Sequence, residues 1–247
     1  MANLVIDIGN TLIKVAVFNQ EELLYFGSKP FIDAASVLEI VDKFNVKQGI
    51  ISSVRKEKEA WRDELVQYIR LEYFNSEKTA GINNRYKSPK TLGADRLAAV
   101  IGAHQLYPGQ SSLVIDAGTA ITYDHIDAEG NYFGGSISPG LNMRYKALHD
   151  YTGALPLLKA DGHFAVDLGD DTETAIHSGV QNGVRFELLG FIEKYRAKEP
   201  ETNIILTGGD SIFFDTLLKN SIFAPYVKIE PYLVLKGLNA AITINND

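Results

Sequence analysis

The chain has no cysteine, which excludes disulfides, thiolate metal sites and a thiol nucleophile at once. It also lacks any long basic run. Its 24 Lys and Arg stand against 31 Asp and Glu, for a net charge of -7, and phosphate backbones need clustered cations, so a dedicated nucleic-acid binder is disfavoured. No apolar run approaches the roughly 20 residues of a membrane span. The opening Leu4-Val5-Ile6 is broken immediately by Asp7 and has no basic leader before it, so a soluble cytoplasmic protein is expected. The five histidines (His104, His125, His149, His163, His177) show no metal-ligand spacing.

What remains is 247 residues, 45% apolar and 22% charged, enough for one large domain or two of ordinary size. An internal repeat decides between them. Leu4-Val5-Ile6-Asp7-Ile8-Gly9 reappears as Leu113-Val114-Ile115-Asp116-Ala117-Gly118 at an offset of 109. Each copy leads into a second β-rich run, Thr11–Phe18 and Ala120–Ile126, and then a third, Leu23–Gly27 and Tyr132–Ser138.

Behind each meander the apolar period changes from 2 to 3.6. The first half then predicts helices over Ala34–Phe44, Glu57–Ile69 and Gly93–Leu106, with strands at Gly49–Ser53 and Tyr73–Phe74. The second predicts helices over Leu141–Tyr151, Thr172–Arg196, Ser211–Leu218 and Val234–Ile244, with strands at Asn203–Thr207 and Val227–Ile229. Each half thus spells β-β-β-α-β-α-β-α, with one extra helix in the second. The expectation is a duplicated α/β protein, divided into residues 1–108 and 109–247, with a ligand cleft between the halves.

Three segments carry chemistry. Asp7-Ile8-Gly9-Asn10-Thr11-Leu12-Ile13-Lys14 puts a carboxylate at a strand end before a Gly turn whose amides suit a magnesium-bound phosphate. Lys14 returns on the next strand to neutralise charge. An ordinary Gly-Asn hairpin reads the same residues without a ligand. Asp116-Ala117-Gly118-Thr119 repeats the carboxylate and the turn but lacks the lysine. Thr207-Gly208-Gly209-Asp210 ends an apolar strand with paired glycines against which a purine fits, or leads into a helix with Asp210 or Ser211 as a simple cap. In the centre, Tyr86 precedes Gly93-Ala94-Asp95-Arg96 at the start of a helix. Helix-start electrostatics accounts for Asp95 but not Arg96; a base beside a guanidinium that grips a substrate carboxylate accounts for both.

Paired phosphate turns resemble the actin/hexokinase/Hsp70 superfamily, whose fold is a duplicated ribonuclease-H-like unit. The resemblance then narrows to the type III pantothenate kinases. Their Asp-x-Gly-Asn-Thr-x-x-Lys stands as Asp7–Lys14, their Gly-x-Asp-Arg as Gly93–Arg96 and their Asp-x-Gly-Thr as Asp116–Thr119. Gly134–Gly140 is similar to the family's Gly-Gly-x-Ile-x-Pro-Gly stretch, and Thr172–Gly179 to its Thr-x-x-Ala-Ile-x-x-Gly segment.

That resemblance implies ATP-dependent phosphorylation of pantothenate to 4'-phosphopantothenate, the first step of coenzyme A biosynthesis. It implies Asp95 as general base, and Tyr86, Gly93, Ala94, Asp95, Arg96 and Thr172 as pantothenate contacts. Asp7, Ile8, Gly9, Asn10, Thr11, Leu12, Ile13, Lys14 and Thr119 become ATP contacts, and Asp116 the ligand of a monovalent cation, K+ or NH4+. Magnesium would accompany ATP, and the family works as a homodimer. Thr174 offers the same hydroxyl as Thr172 two residues on. Two rival readings stand beside this one: a non-catalytic nucleotide-binding regulator of the same fold, and a kinase of this fold acting on another small hydroxy compound. An apolar stripe of Ile176, Val180, Val184, Leu188, Phe191 or Ile192, and Tyr195 suits either a core or a dimer seam, and Gly179 and Gly183 permit close helix approach.

Overall fold

The computed structural model describes residues 2–55 and 61–244. In chain order its strands and α-helices are β1 (Ala2–Ile8), β2 (Ile13–Asn19), β3 (Glu22–Lys29), α1 (Ala34–Phe44), β4 (Gln48–Ser53), α2 (Trp61–Leu65), β5 (Arg70–Tyr73), β6 (Asn83–Asn84), α3 (Ala94–Leu106), β7 (Ser112–Ala117), β8 (Ala120–Ile126), β9 (Asn131–Pro139), α4 (Leu141–Asp150), α5 (Thr172–His177), α6 (Gly183–Arg196), β10 (Asn203–Thr207), α7 (Ser211–Leu218), β11 (Val227–Ile229) and α8 (Leu233–Ile244). Among the described residues no helix is long and apolar enough to cross a membrane.

Most boundaries fall within two residues of those expected. The helix expected over Glu57–Ile69 is seen only as α2; residues 57–60 lie outside the described residues. Beyond Leu65 the chain tightens into turns, with Gln67 N–H donating to Glu64 O at 3.2 Å and Tyr68 N–H to Leu65 O at 3.0 Å. The single helix expected over Thr172–Arg196 is continuous but widens into a π turn at Ser178–Asn182. There Ser178 Oγ donates to Asp167 O at 2.6 Å and Asn182 Nδ2 to Val166 O at 3.0 Å, so the wide turn ties down the preceding loop.

The chain forms two compact units. One holds the segment up to Pro108, Gly130–Phe133 and the segment from Tyr232 onward; the other holds Gly109–Glu129 and Gly134–Pro231. The C-terminal helix α8, counted with the second half in the division at 108/109, therefore belongs to the first unit. Its reason is close packing on α3. A Cβ on Gly237 would fall 1.8 Å from Ala98 O, and one on Gly102 would fall 2.4 Å from Leu233 O. Only glycine at both places lets the two backbones meet this closely. Asn239 adds a buried hydrogen bond to Asn3 at 2.9 Å.

In the first unit the sheet order is β3-β2-β1-β4-β5, with β1 antiparallel to β2 and parallel to β4. The other sheet has six strands in the order β6-β9-β8-β7-β10-β11, with β6 paired to β9 at Asn131 and Tyr132 and β7 antiparallel to β8 and parallel to β10; without β6, its order matches that of the first. The two units thus repeat one topology, which is the duplication read from Leu4–Gly9 and Leu113–Gly118.

Alternation on β1 separates two faces. Leu4, Ile6 and Ile8 join Val37 and Val41 of α1 and Leu65 of α2 in one core. Asn3, Val5 and Asp7 point the other way, toward the face on which Asn3 meets α8. A second core gathers Leu113, Ile115, Leu206 and Phe214 with Ile176, Val180, Val184, Leu188 and Ile192.

Candidate active site

Asp7 lies on the face of the first sheet that Asn3 shares with α8, and α8 in turn clasps α3. The registers place its neighbours: Lys14 is opposite Asp7 on β2 and Ser52 beside it on β4. Directly paired side chains share a face. Asp7 is 7% exposed, and burial raises its carboxyl from the ordinary 3.8 to about 6. Lys14 opposes that rise, Asp95 adds to it, and the Ser52 hydroxyl opposes it weakly. Ser52 Oγ itself is fully buried and makes no well-aligned hydrogen bond. The turn after Asp7 closes through Gly9 N–H donating to Leu12 O at 3.0 Å, and leaves Asn10, Thr11 and Leu12 exposed.

Asp95 reaches Asp7's field from the first turn of α3. Gly93 caps that helix without a side-chain hydrogen bond. Asp95 Oδ1 instead accepts from the Arg96 N–H at 2.8 Å, satisfying one of the helix's unpaired amides and placing an anion where the helix dipole favours it. A Cβ on Gly93 would fall 2.5 Å from that same oxygen. Arg96 is 6% exposed, its guanidinium lies 5.7 Å from the Tyr86 ring, and Tyr86 stacks on Tyr132 at 6.3 Å and 8°. The first unit therefore unites Asp7, Lys14, Tyr86, Gly93, Ala94, Asp95 and Arg96. Two carboxylates, a lysine and a buried, ring-backed guanidinium in one unit are the kinds of group that bind anions and accept protons.

In the second unit the turn after Asp116 is gripped by two loops. Gly140 N–H donates to Thr119 O at 3.2 Å and Asp210 N–H to Ala117 O at 2.9 Å. Gly208 has φ of +89°, and a Cβ there would fall 2.3 Å from Asp116 Oδ1 and 2.4 Å from Ala117 O. Carboxylate and carbonyl oxygens converge on the space a side chain would fill, a donor set suited to a hard cation. Burial raises the Asp210 carboxyl. The register sets Thr122 opposite Asp116, where the first unit has Lys14, so this copy offers oxygens in place of an ammonium group. Among the described residues no cluster of three or more His, Cys, Asp or Glu suited to a metal occurs.

Thr172 and Thr174 separate by what their hydroxyls do. Asp171 caps α5 by accepting from the Thr174 N–H at 2.8 Å, and the Asp171 N–H donates to Thr174 Oγ1 at 3.1 Å. Thr174 is thus half of a capping box, whereas Thr172 is exposed. The dimer-seam option for the stripe on α5 and α6 does not hold. Val180 and Val184 are 3% and 0% exposed within the second core. Each buried aliphatic side chain contributes about 1.5–3 kcal/mol, which settles which way this face turns.

Sequence reasoning missed Ser52 and Arg55. Arg55 Nε donates to Gly9 O at 2.9 Å, which brings a cation to the phosphate-type turn. Both lie far along the chain from Asp7, and only the parallel pairing of β4 with β1 brings them there.

A five-strand order common to both sheets, with a carboxylate-Gly turn at each central strand, defines an actin/hexokinase-like ATPase fold; a solved structure titled a putative sugar kinase, from Cytophaga hutchinsonii, aligns with a TM-score of 0.51 at 14% identity, covering 100% of both chains. The family model "Type III pantothenate kinase" matches residues 3–195, so the chain belongs to the type III pantothenate kinase family. Among curated relatives, type III pantothenate kinases of Bacteroides fragilis and Phocaeicola vulgatus are each 44% identical over 247 residues. The match covers 99% of this chain in both, and 98% and 99% of the relatives respectively. A Campylobacter jejuni structure named for the Baf family of transcriptional activators aligns with a TM-score of 0.63 at 20% identity, covering 98% of both chains. At that identity it speaks for the fold alone.

Proposed function

We propose that the Asp7–Lys14 turn and the Gly93–Arg96 helix start carry ATP-dependent phosphorylation of pantothenate to 4'-phosphopantothenate. The observation that carries this is that the Asp95 charge acts on the buried Asp7 carboxyl inside one unit. It sets the phosphate turn and the candidate base in one field, beside a buried arginine. Phosphoryl transfer depends on positioning and charge neutralisation more than on covalent help.

Lys14 neutralises phosphate charge while the amides of Asn10 and Thr11 hold phosphate oxygens. Arg96, backed by Tyr86, grips the pantothenate carboxylate, with Gly93 and Ala94 beside it and Thr172 as a further contact. Asp95 takes the proton of the attacking hydroxyl as its oxygen bonds to the γ-phosphorus and the bond to the β-phosphate oxygen breaks, leaving ADP. Magnesium, when bound with ATP, supplies charge neutralisation at the phosphates; Asp7 is the carboxylate placed to receive it, and a cation there favours the charged form that burial disfavours. Thr119 is a second ATP contact, and Asp116, with the Ala117 carbonyl beside it, would hold a monovalent cation, K+ or NH4+, which would add positive charge there.

The protein works in the cytoplasm as a homodimer. The outward side of the Thr172–Arg196 helix supports this, because Phe186 is 63% exposed and a Cβ on Gly179, Gly183 or Gly190 would meet nothing within 4 Å. A coupled assay of ADP release, with pantothenate present and absent, tests the reading. Release that depends on pantothenate is the expected outcome; equal rates with and without it would leave the acceptor unassigned.

A further inference from the structure

We infer that Arg55 is a positioning residue of the nucleotide-phosphate turn, fixing the Gly9–Asn10 peptide and adding its charge to that of Lys14. The inference rests on the reading that this turn receives ATP. Parallel pairing of β4 with β1 matches Asp7 with Ser52 and Ile8 with Ser53. It continues one step further, where Val54 N–H donates to Ile8 O at 3.1 Å. The next residue is therefore delivered to the level of the turn. Among its hydrogen bonds there, the Arg55 N–H donates to Ser53 Oγ at 3.2 Å and Nε donates to Gly9 O at 2.9 Å.

The consequence lies in one peptide plane. Gly9 C=O and Asn10 N–H belong to the same trans amide and point in opposite directions. A guanidinium bonded to the carbonyl fixes the plane and keeps the Asn10 N–H directed to the other side, on the exposed part of the turn. The same bond draws electron density toward the carbonyl and makes that N–H a stronger donor. Its positive charge also stands within a few ångströms of a turn that already has the Asp7 carboxylate beneath it. A triphosphate brought there adds further negative charge, and Lys14 by itself balances little of it. Ser52, buried and without an aligned hydrogen bond, shows that the end of β4 lines this site with polar groups.

Titration calorimetry on the full chain tests this, with ATP and adenosine as probes against the parent, Arg55→Gln and Arg55→Lys. Arg55→Gln is expected to weaken ATP binding about tenfold or more, the effect of losing one charge-assisted hydrogen bond. Adenosine affinity and the KM for pantothenate should stay within about twofold, and Arg55→Lys, which keeps the charge but not the fork, should fall between. ATP affinity of Arg55→Gln within about twofold of the parent would overturn the inference, as would equal losses for ATP and adenosine, which mark a purely structural role. Should Arg55→Gln fail to fold, Arg55→Lys decides by the same comparison. The titration needs no turnover. A parent that binds ATP without pantothenate-dependent ADP release sinks the assigned reaction and leaves Arg55 to be judged by ATP affinity.

Discussion

Asp7 stands directly opposite Lys14 in the β1–β2 register, yet its carboxyl is pushed up to about 6. Burial outweighs the lysine, and Asp95 adds to the push. A carboxyl that holds its proton more tightly folded than unfolded contributes stability that is present below about pH 4 and is lost as pH rises through about 6. The rise from 3.8 to about 6 corresponds to roughly 3 kcal/mol. Asp7→Asn should therefore melt several degrees above the ligand-free parent at pH 7.5, with the gap closing toward pH 4, while losing nearly all activity. Thermal melts across that pH range check it; a variant less stable than the parent at pH 7.5 would contradict the account of Asp7.

Gly93 has its effect through Asp95. The missing Cβ would overlap Asp95 Oδ1 at 2.5 Å, so Gly93→Ala must displace the carboxylate or the helix start. Misplacing a reacting group by about 1 Å costs on the order of 10²-fold. The expected outcome is a kcat lower by about that factor with ATP binding retained, measured by steady-state kinetics alongside nucleotide titration.

Much of this was legible in the sequence because it rests on local signals. The repeat of Leu4–Gly9 at Leu113–Gly118 carried the duplicated topology, and the change of period behind each meander located α1, α3, α7 and α8 to within a residue or so. What was not legible depends on pairing between distant segments. Arg55 meets Gly9 only because β4 runs parallel to β1. Helix α8 joins the first unit because Gly237 and Gly102 let it approach α3, a contact no period reveals. The inward or outward sense of the Ile176–Ile192 stripe was likewise undetermined, since an apolar face looks the same whether it meets a sheet or a partner. Thr172 and Thr174 were inseparable until the Asp171 capping box engaged one hydroxyl.

Gly208 links a backbone angle to the proposed cation. With φ at +89° and Asp116 Oδ1 only 2.3 Å from the absent Cβ, Gly208→Ala faces strain of about 1–3 kcal/mol and fills the space where the oxygens converge. The parent should turn over faster in potassium or ammonium salts than in sodium at constant ionic strength, and Gly208→Ala should lose that difference. Equal parental rates in all three salts would remove the monovalent cation from the mechanism.

The central claim is that Asp95 takes the proton from pantothenate's hydroxyl. Its most direct test is the rate of pantothenate-dependent ADP release by Asp95→Asn beside the parent, with ATP affinity measured on the same preparations. Loss of a positioned general base lowers the rate by about 10²–10⁴-fold, and since Asp95 lies on α3 and not in the Asp7–Lys14 turn, ATP binding should persist. A variant that keeps near-parental turnover would contradict the assignment of Asp95 as the base.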